Sequence, residues 1–306
     1  VTAFIIRRVL WTIPVLWAIA TVTFLLMHTV PGGPFDRDKE LPATVRQNLE
    51  RKYGLDKPLH EQYVQYMTNL AKGDLGISMR QNRPVTTIIR EGLTVSLQLG
   101  LSAFVFATVF GMSMGLIAAL NHNRPGDYAG VFVATVGSSM PNFILATFLV
   151  IIFSVQLGWT DVLGWEMFNP RKMILPTVAL GILPAAYIAR ISRASMLEVL
   201  GQDYIRTARA KGLSEWAVIA RHTVKNALVP ILTVLGPILA VLVTGSFIIE
   251  TSFAINGVGR HFVSAISSRD YGLIMGTTLF FAVIITFANL AVDILYAFVD
   301  PRIRYG

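Results

Sequence analysis

Residues 203–230 read DYIRTARAKGLSEWAVIARHTVKNALVP, and they lie between two long apolar runs. From Arg190 to Lys225 the chain carries seven Lys or Arg against three Asp or Glu. The pattern is helical up to Lys211 and is interrupted at Gly212. Glycine enters the left-handed conformation that ends helices at little steric cost, because it has no Cβ. Ser214 can cap a second helix, with Glu215 in its first turn, where exposed backbone N–H groups favour negative charge. On that helix Trp216, Ile219, Ala220 and Thr223 share one face, and Glu215 and His222 lie together on another. The expected shape is a helix, a glycine corner, a short helix from Ser214 to His222 lying across the first, and re-entry into membrane at Asn226. A solvated basic loop would explain the charge through the positive-inside rule. It would not explain the glycine corner or the amphipathic helix after it, so the segment is read as a docking element.

The surrounding composition is that of a membrane protein. Of 306 residues, 54% are hydrophobic and 14% charged, whereas a soluble domain carries about a quarter charged residues. There is no cysteine, which excludes disulfides and thiolate chemistry. The net charge of +8 does not imply nucleic acid, because the basic residues fall between apolar spans rather than along one stripe.

Residues 9–35 contain no Asp, Glu, Lys or Arg, and Arg7 and Arg8 precede them. Twenty or so residues at ~1.5 Å each cross a hydrocarbon core of about 30 Å. The run continues beyond Ala20, further than the ~7–15 residues of a signal-peptide core, so an uncleaved first helix is expected. Pro31-Gly32-Gly33-Pro34 ends it. The polar stretch 36–91 mixes eight acids with ten bases. It suggests two short helices, one through Val45, Leu49 and Tyr53 closed by Gly54, the other through Tyr63, Tyr66, Met67 and Leu70 closed by Gly73. The Tyr63, Tyr66 and Met67 face is expected to be this insert's own small core, the alternative being a cover over the pore mouth. Further charge-free runs at 92–123, 128–160, 173–189, 226–249 and 271–292 bring the expected spans to six. The run 173–189 is the shortest and holds Pro176 and Pro184. Six crossings put both termini on the same side. That side then carries 12 Lys and Arg against 4 on the other, the insert excepted, so it is expected to be cytoplasmic. The expected organisation is a first span at 1–35, an extracytoplasmic insert at 36–91, a core at 92–293 containing the loop 190–226, and a cytoplasmic tail at 294–306. In the second run Ala103, Ala107, Gly111, Gly115 and Ala119 recur every four residues, a small-residue stripe suited to close helix packing.

No catalytic constellation is visible. A phosphate-cradling loop needs Gly-Lys followed by Ser or Thr, and the chain has no Gly-Lys. His60-Glu61 begins a zinc-helix pattern, but Val64 stands where the second His belongs. Gly137-Ser138-Ser139-Met140-Pro141 ends in Pro where a nucleophile elbow has Gly. The spans lack the mid-membrane ionisable residues typical of proton- or sodium-coupled carriers; Glu250 and Asp293 sit at span ends. Ser139, Asn142 and Glu250 are the candidates for a polar pathway lining. The chain thus reads as a non-enzymatic conduit without cofactor, driven from elsewhere through 190–226. The alternative is an autonomous channel or secondary carrier.

DYIRTARAKG followed by RHTVKNALVP resembles the cytoplasmic coupling loop of ABC-importer permeases, and more narrowly that of the B-type permease of dipeptide and oligopeptide importers. Arg206 and Thr207 depart from the general loop pattern, Ala208 and Gly212 match it, and its closing Leu-Pro is absent at the expected spacing, Pro230 coming later. GLDKP at 54–58, GDLGIS at 73–78, SSMPNF at 138–143, FSVQLGW at 153–159, ETSFAINGVGR at 250–260, SRDYGLIMG at 268–276 and NLAVDILYAFVDPRIRY at 289–305 are similar to the same family. The resemblance implies an all-α membrane protein with six transmembrane helices in the type I ABC importer fold, in a prokaryotic inner membrane. It implies a homologous C-type permease, two ATPase subunits that bind ATP and Mg, and an extracytoplasmic substrate-binding protein as partners. The coupling residues it implies are Ala208, Lys211, Gly212, Ser214, Glu215, Trp216, Ile219 and His222, the helix from Ser214 to His222 sitting in an ATPase groove. The implied cargo is di- or oligopeptides, with nickel complexes, glutathione or oligosaccharides as alternatives.

Overall fold

The computed structural model describes residues 2–35 and 42–299. They are almost entirely helical. The helices are α1 (Thr2–Thr29), α2 (Ala43–Tyr53), α3 (Leu59–Ala71), α4 (Val85–Leu120), α5 (Pro125–Ser139), α6 (Asn142–Leu149), α7 (Pro170–Leu200), α8 (Asp203–Ala210), α9 (Glu215–Ala217), α10 (Val224–Val243), α11 (Phe247–Ser252), α12 (Val258–Ser268) and α13 (Tyr271–Val299). π-helical stretches follow α6 at Val150–Gln156 and α9 at Val218–Thr223. Among the described residues, five helical runs are long and apolar enough to cross a membrane: Leu10–Thr29, Val85–Leu120, Pro170–Leu200, Glu215–Val243 and Tyr271–Leu290.

Two expected spans take a different form. The run 128–160 is divided between α5 and α6, because Met140 is extended and Pro141 opens α6. A residue before proline is pushed out of the helical region by the ring's Cδ. The run 173–189 sits inside the 31-residue α7, which passes through Pro176 and Pro184 and on past Arg190 and Arg193. Likewise α4 begins at Val85, before the expected Gly92, with Arg90 and Glu91 inside the helix. Charge marks where the apolar stretch ends; it does not stop the backbone ladder.

The described residues form two compact units, one within 2–96 and 256–287, the other within 97–255 and 288–299. In the first, α2 ends at the left-handed Gly54 and α3 is followed by the left-handed Gly73. Neither helix has a buried residue. The Tyr63 and Tyr66 rings pack instead against Phe24 of α1, at centroid distances of 5.3 and 5.7 Å. Thr21 Oγ1 meets the Tyr63 hydroxyl at 2.8 Å, and His28 Nε2 meets Gln62 Oε1 at 3.1 Å. The expectation of a self-contained insert core is therefore corrected: two short helices have too little apolar area for one, so their aromatic face lies on α1. Burial pushes the Tyr66 hydroxyl up to about 12, with Tyr63 adding to the effect.

The same unit holds a buried carboxylate. Asp270 accepts the Ser78 hydroxyl and the backbone N–H groups of Met79 (3.0 Å), Arg80 (3.3 Å) and Leu273 (3.2 Å). Gly272 passes so close to the chain that a Cβ there would collide with the Ile77 carbonyl oxygen. The stretches GDLGIS and SRDYGLIMG are thus two sides of one junction.

In the second unit the small-residue stripe of α4 is a packing seam. Ala103, Ala107 and Ala119 are buried. A Cβ on Gly111 would lie 2.6 Å from the Ala185 carbonyl oxygen, and one on Gly115 would lie 2.5 Å from Ser192 Cβ, so α4 approaches α7 at backbone distance.

Candidate functional site

The segment after α7 is built from the inside out. α8 opens on Asp203 and has Arg209 in its last turn, both charges complementing the helix dipole. Ile205 and Ala208, three apart, point inward to a cluster with Ala119, Met196, Val199, Val218 and Ala227. Gly212 then takes φ +79°. Its N–H donates to Arg209 O (2.9 Å) and the Leu213 N–H donates to Ala208 O (3.4 Å), the paired bonds that close a helix on a left-handed residue. Nothing lies within 4 Å of a Cβ built on Gly212, so glycine is needed there for its backbone angle alone.

The corner is braced from outside as well. Arg209 Nε and Nη2 donate to the two carboxylate oxygens of Glu215 at 2.8 and 3.3 Å. Ser214 Oγ accepts from the Ala217 N–H at 3.4 Å, capping the next helix. Asn226 Nδ2 donates to the Tyr204 hydroxyl (3.2 Å) and to His222 O (2.8 Å), tying α10 to α8.

The helix capped by Ser214 does not stop at His222. It continues as one helical run, Glu215–Val243, of 29 residues. No glycine or proline lies between Ser214 and Pro230 to interrupt the ladder. The π-helical turn also changes the expected faces. Val218 and Thr223, five apart, are both buried, and the Thr223 hydroxyl donates to Val218 O at 3.2 Å. Trp216 is 76% exposed, so it does not share a face with Thr223. Ile219 and His222 are half-buried, while Lys211, Ser214 and Glu215 are exposed. Ala208 is buried and can only support the surface from beneath. The separate short element is thus α8, before the glycine. Its outward residues Tyr204 and Arg206, with Leu213 beyond the corner, were missed by sequence reasoning. The signal was available: placing Ile205 and Ala208 inward on a helical wheel leaves them outside.

A second polar arrangement lies in the same unit. Arg193 of α7 holds Asp127 of α5 through two donors, Nε to Oδ1 at 2.6 Å and Nη2 to Oδ2 at 2.7 Å. The Asn123 N–H donates to Asp127 Oδ2 at 3.0 Å, and His122 Nδ1 stands 3.3 Å from the same oxygen. Asp127 is buried. The Arg193 hydrogen bonds hold its carboxyl well below the usual carboxylate range, against the opposing effect of burial. The sequence showed only an acid at the edge of an apolar run, without its partner far along the chain.

The pathway candidates lie around the α5–α6 break and in α11, which packs on α6. Ser139 is exposed and donates to Thr135 O at 2.7 Å, and Asn142 opens α6 beyond Pro141. Glu250 is fully buried in α11, where the Ser246 N–H donates to it at 3.3 Å. It does not lie at a solvated span end, because the chain after α10 turns into α11, which packs on α6 and α7.

A family described as binding-protein-dependent transport system inner membrane component matches residues 111–305, and its N-terminal counterpart matches residues 1–100. The chain belongs to this family. Among its relatives, the dipeptide transport system permease protein of Bacillus subtilis (strain 168) is 46% identical, covering 94% of this chain and 92% of its own length. The oligopeptide transport system permease protein of Haemophilus influenzae is 43% identical over 99% of both chains. The glutathione transport system permease protein of Shigella flexneri serotype 5b is 39% identical over 99% of both. Inward-facing structures of the MetNI methionine ABC transporter share the fold, one with a TM-score of 0.56 and 19% identity, covering 70% of this chain and 96% of that one. A member of the binding-protein-dependent inner membrane component family with five such helices is a multi-pass inner-membrane protein. The relatives are transport permeases, in keeping with a membrane component rather than an enzyme.

Proposed function

We propose that this chain is one of two permease subunits enclosing the pathway of an ATP-driven importer for di- or oligopeptides, and that residues 203–216 receive the ATPase subunit. The observation that carries the proposal is the braced corner at Gly212, which presents Tyr204, Arg206, Lys211, Leu213 and Trp216 on a support that cannot swing freely. A lever must be stiff to transmit displacement, and this one is fixed by buried side chains and a closed backbone turn, with an exposed ion pair beside them. ATP and Mg belong to the partner subunits, since the chain has no phosphate loop. The C-type permease supplies the other half of the pathway, and an extracytoplasmic binding protein delivers the cargo. Closure of the ATPases opens the pathway outward to receive peptide, and hydrolysis returns it to release peptide inward.

In this reading α5 and α6 together make a kinked crossing, for six in all, with both termini and residues 190–226 cytoplasmic and the α2–α3 insert outside. The positive-inside bias supports this orientation. Peptide cargo is supported by the relatives' names. The test is reconstitution of the complex with Arg206→Glu combined with Trp216→Asp. The variant is expected to insert normally but to lose ATPase co-purification and to cut peptide uptake about tenfold or more. ATP-independent uptake by the chain alone, or wild-type uptake in the double variant, would overturn the proposal.

A further inference from the structure

The contact between Asp127 and Arg193 plays no part in the docking surface, yet both partners of a charge-assisted, two-pronged bond have been drawn together across the chain. We propose that this pair is the tie through which displacement of residues 203–216 reaches α5, making Asp127 and Arg193 positioning residues for transport. The inference rests on the importer reading above.

Its first support is position. Arg193 lies about one turn before Met196 and nearly two before Val199 on α7, and those two side chains belong to one buried cluster with Ile205, Ala208 and Val218. A close-packed cluster does not absorb displacement, so movement of α8 is felt by this end of α7. The second is the geometry of the bond itself. At Gly130 and Gly137 the packing of α5 is close, with a would-be Cβ 3.3 Å from Ala118 Cβ and 3.1 Å from Ile182 Cγ1, but such apolar contact is non-directional. A guanidinium fork on a carboxylate fixes distance and orientation together. The third is the other end of α5. α5 runs without interruption from Pro125 to Ser139, so a rotation of its first turn is carried to Ser139 at the edge of the Met140–Pro141 break. The Asn123 N–H on Asp127, with Asn123 at φ +58°, locks the α4–α5 turn to the same carboxylate, so this turn moves with it. Asp127 is buried while Arg193 stays partly exposed, so the carboxylate is held in one geometry by a partner that reaches it from the surface.

The test uses the whole complex in proteoliposomes, with assembly, ATP hydrolysis and peptide uptake measured together. Asp127→Asn is expected to assemble, to keep ATP hydrolysis within about twofold, and to lower uptake about tenfold or more. Exchange of the charges, Asp127→Arg with Arg193→Asp, should recover part of the uptake. The absence of native cysteine allows a decisive arm: Asp127→Cys with Arg193→Cys, bridged by a short reversible bis-thiosulfonate reagent. Uptake should return on bridging and vanish on reduction. Uptake that falls only in proportion to assembled complex, that is unchanged in Asp127→Asn, or that bridging fails to restore would overturn the tie. Should Asp127→Asn not assemble, the bridged pair decides alone. Absence of ATP-driven uptake by the wild-type complex would instead overturn the importer reading.

Discussion

Two helix corners, one in each unit, are closed by the same backbone device and serve opposite ends. α8 ends on Gly212 and α12 ends on Arg269, both left-handed, with φ of +79° and +54°. At each, the next N–H reaches back to close the last turn, Leu213 to Ala208 O and Asp270 to Ala265 O. After Gly212 the chain turns outward, and Leu213 and Trp216 stand exposed. After Arg269 it turns inward, and Asp270 is buried under four donors. The glycine corner costs little backbone strain and displays side chains. The arginine corner carries roughly 1–2 kcal/mol of left-handed strain, which the bonds to Asp270 offset. A left-handed closure therefore does not reveal whether a stretch presents a surface or builds a junction; what the following side chain meets decides.

The largest effect is expected at Asp270. Asp270→Ala leaves buried N–H groups without their acceptor and is expected to cost about 3 kcal/mol or more. The check is thermal unfolding in detergent, and an unchanged midpoint would show that the junction is held by its apolar neighbours instead. Gly212→Val should cost less, about 1–2 kcal/mol, because only the backbone angle is strained. Its larger effect should be on function, a fall in peptide uptake with the complex still assembled; full uptake would mean that the corner is only a solvated turn. The smallest effect is expected at the α3 contact with α1. The buried Tyr66 hydroxyl has a raised folded-state value, so the neutral form is favoured in the fold. Stability is then fully present below the ordinary tyrosine range near pH 10 and declines as pH rises through about 12. Tyr66→Phe should remove this alkaline decline and change stability at neutral pH by no more than about 1 kcal/mol. A decline that persists in Tyr66→Phe would assign it to another group.

The chain's own residues determined much of this without tertiary information. Charge-free runs marked the apolar helices, because transfer of charge into hydrocarbon is costly whatever surrounds it. Gly54, Gly73 and Gly212 marked left-handed positions, because the steric penalty on a Cβ is local. The Ala103 to Ala119 stripe marked a seam, because close approach requires small side chains on one face. Family membership was legible through long motifs at 54–58, 73–78 and 268–276.

What the tertiary structure alone decided involves residues distant in sequence. Arg193 against Asp127 and Asp270 against Ser78 are separated by long stretches of chain, and no local pattern announces a carboxylate's partner. The direction of the Tyr63 and Tyr66 face was open for the same reason, since amphipathicity says that a face is covered without saying by what. The continuation of the Ser214-capped helix into α10 could be read from the lack of Gly or Pro after Ser214, but its faces could not. Its π-helical turn shifts every following side chain by one position, so the side of the helix that Trp216 and Thr223 each occupy was set by burial of Val218 and Thr223 against the cluster around Ile205, not by the 3.6-residue period.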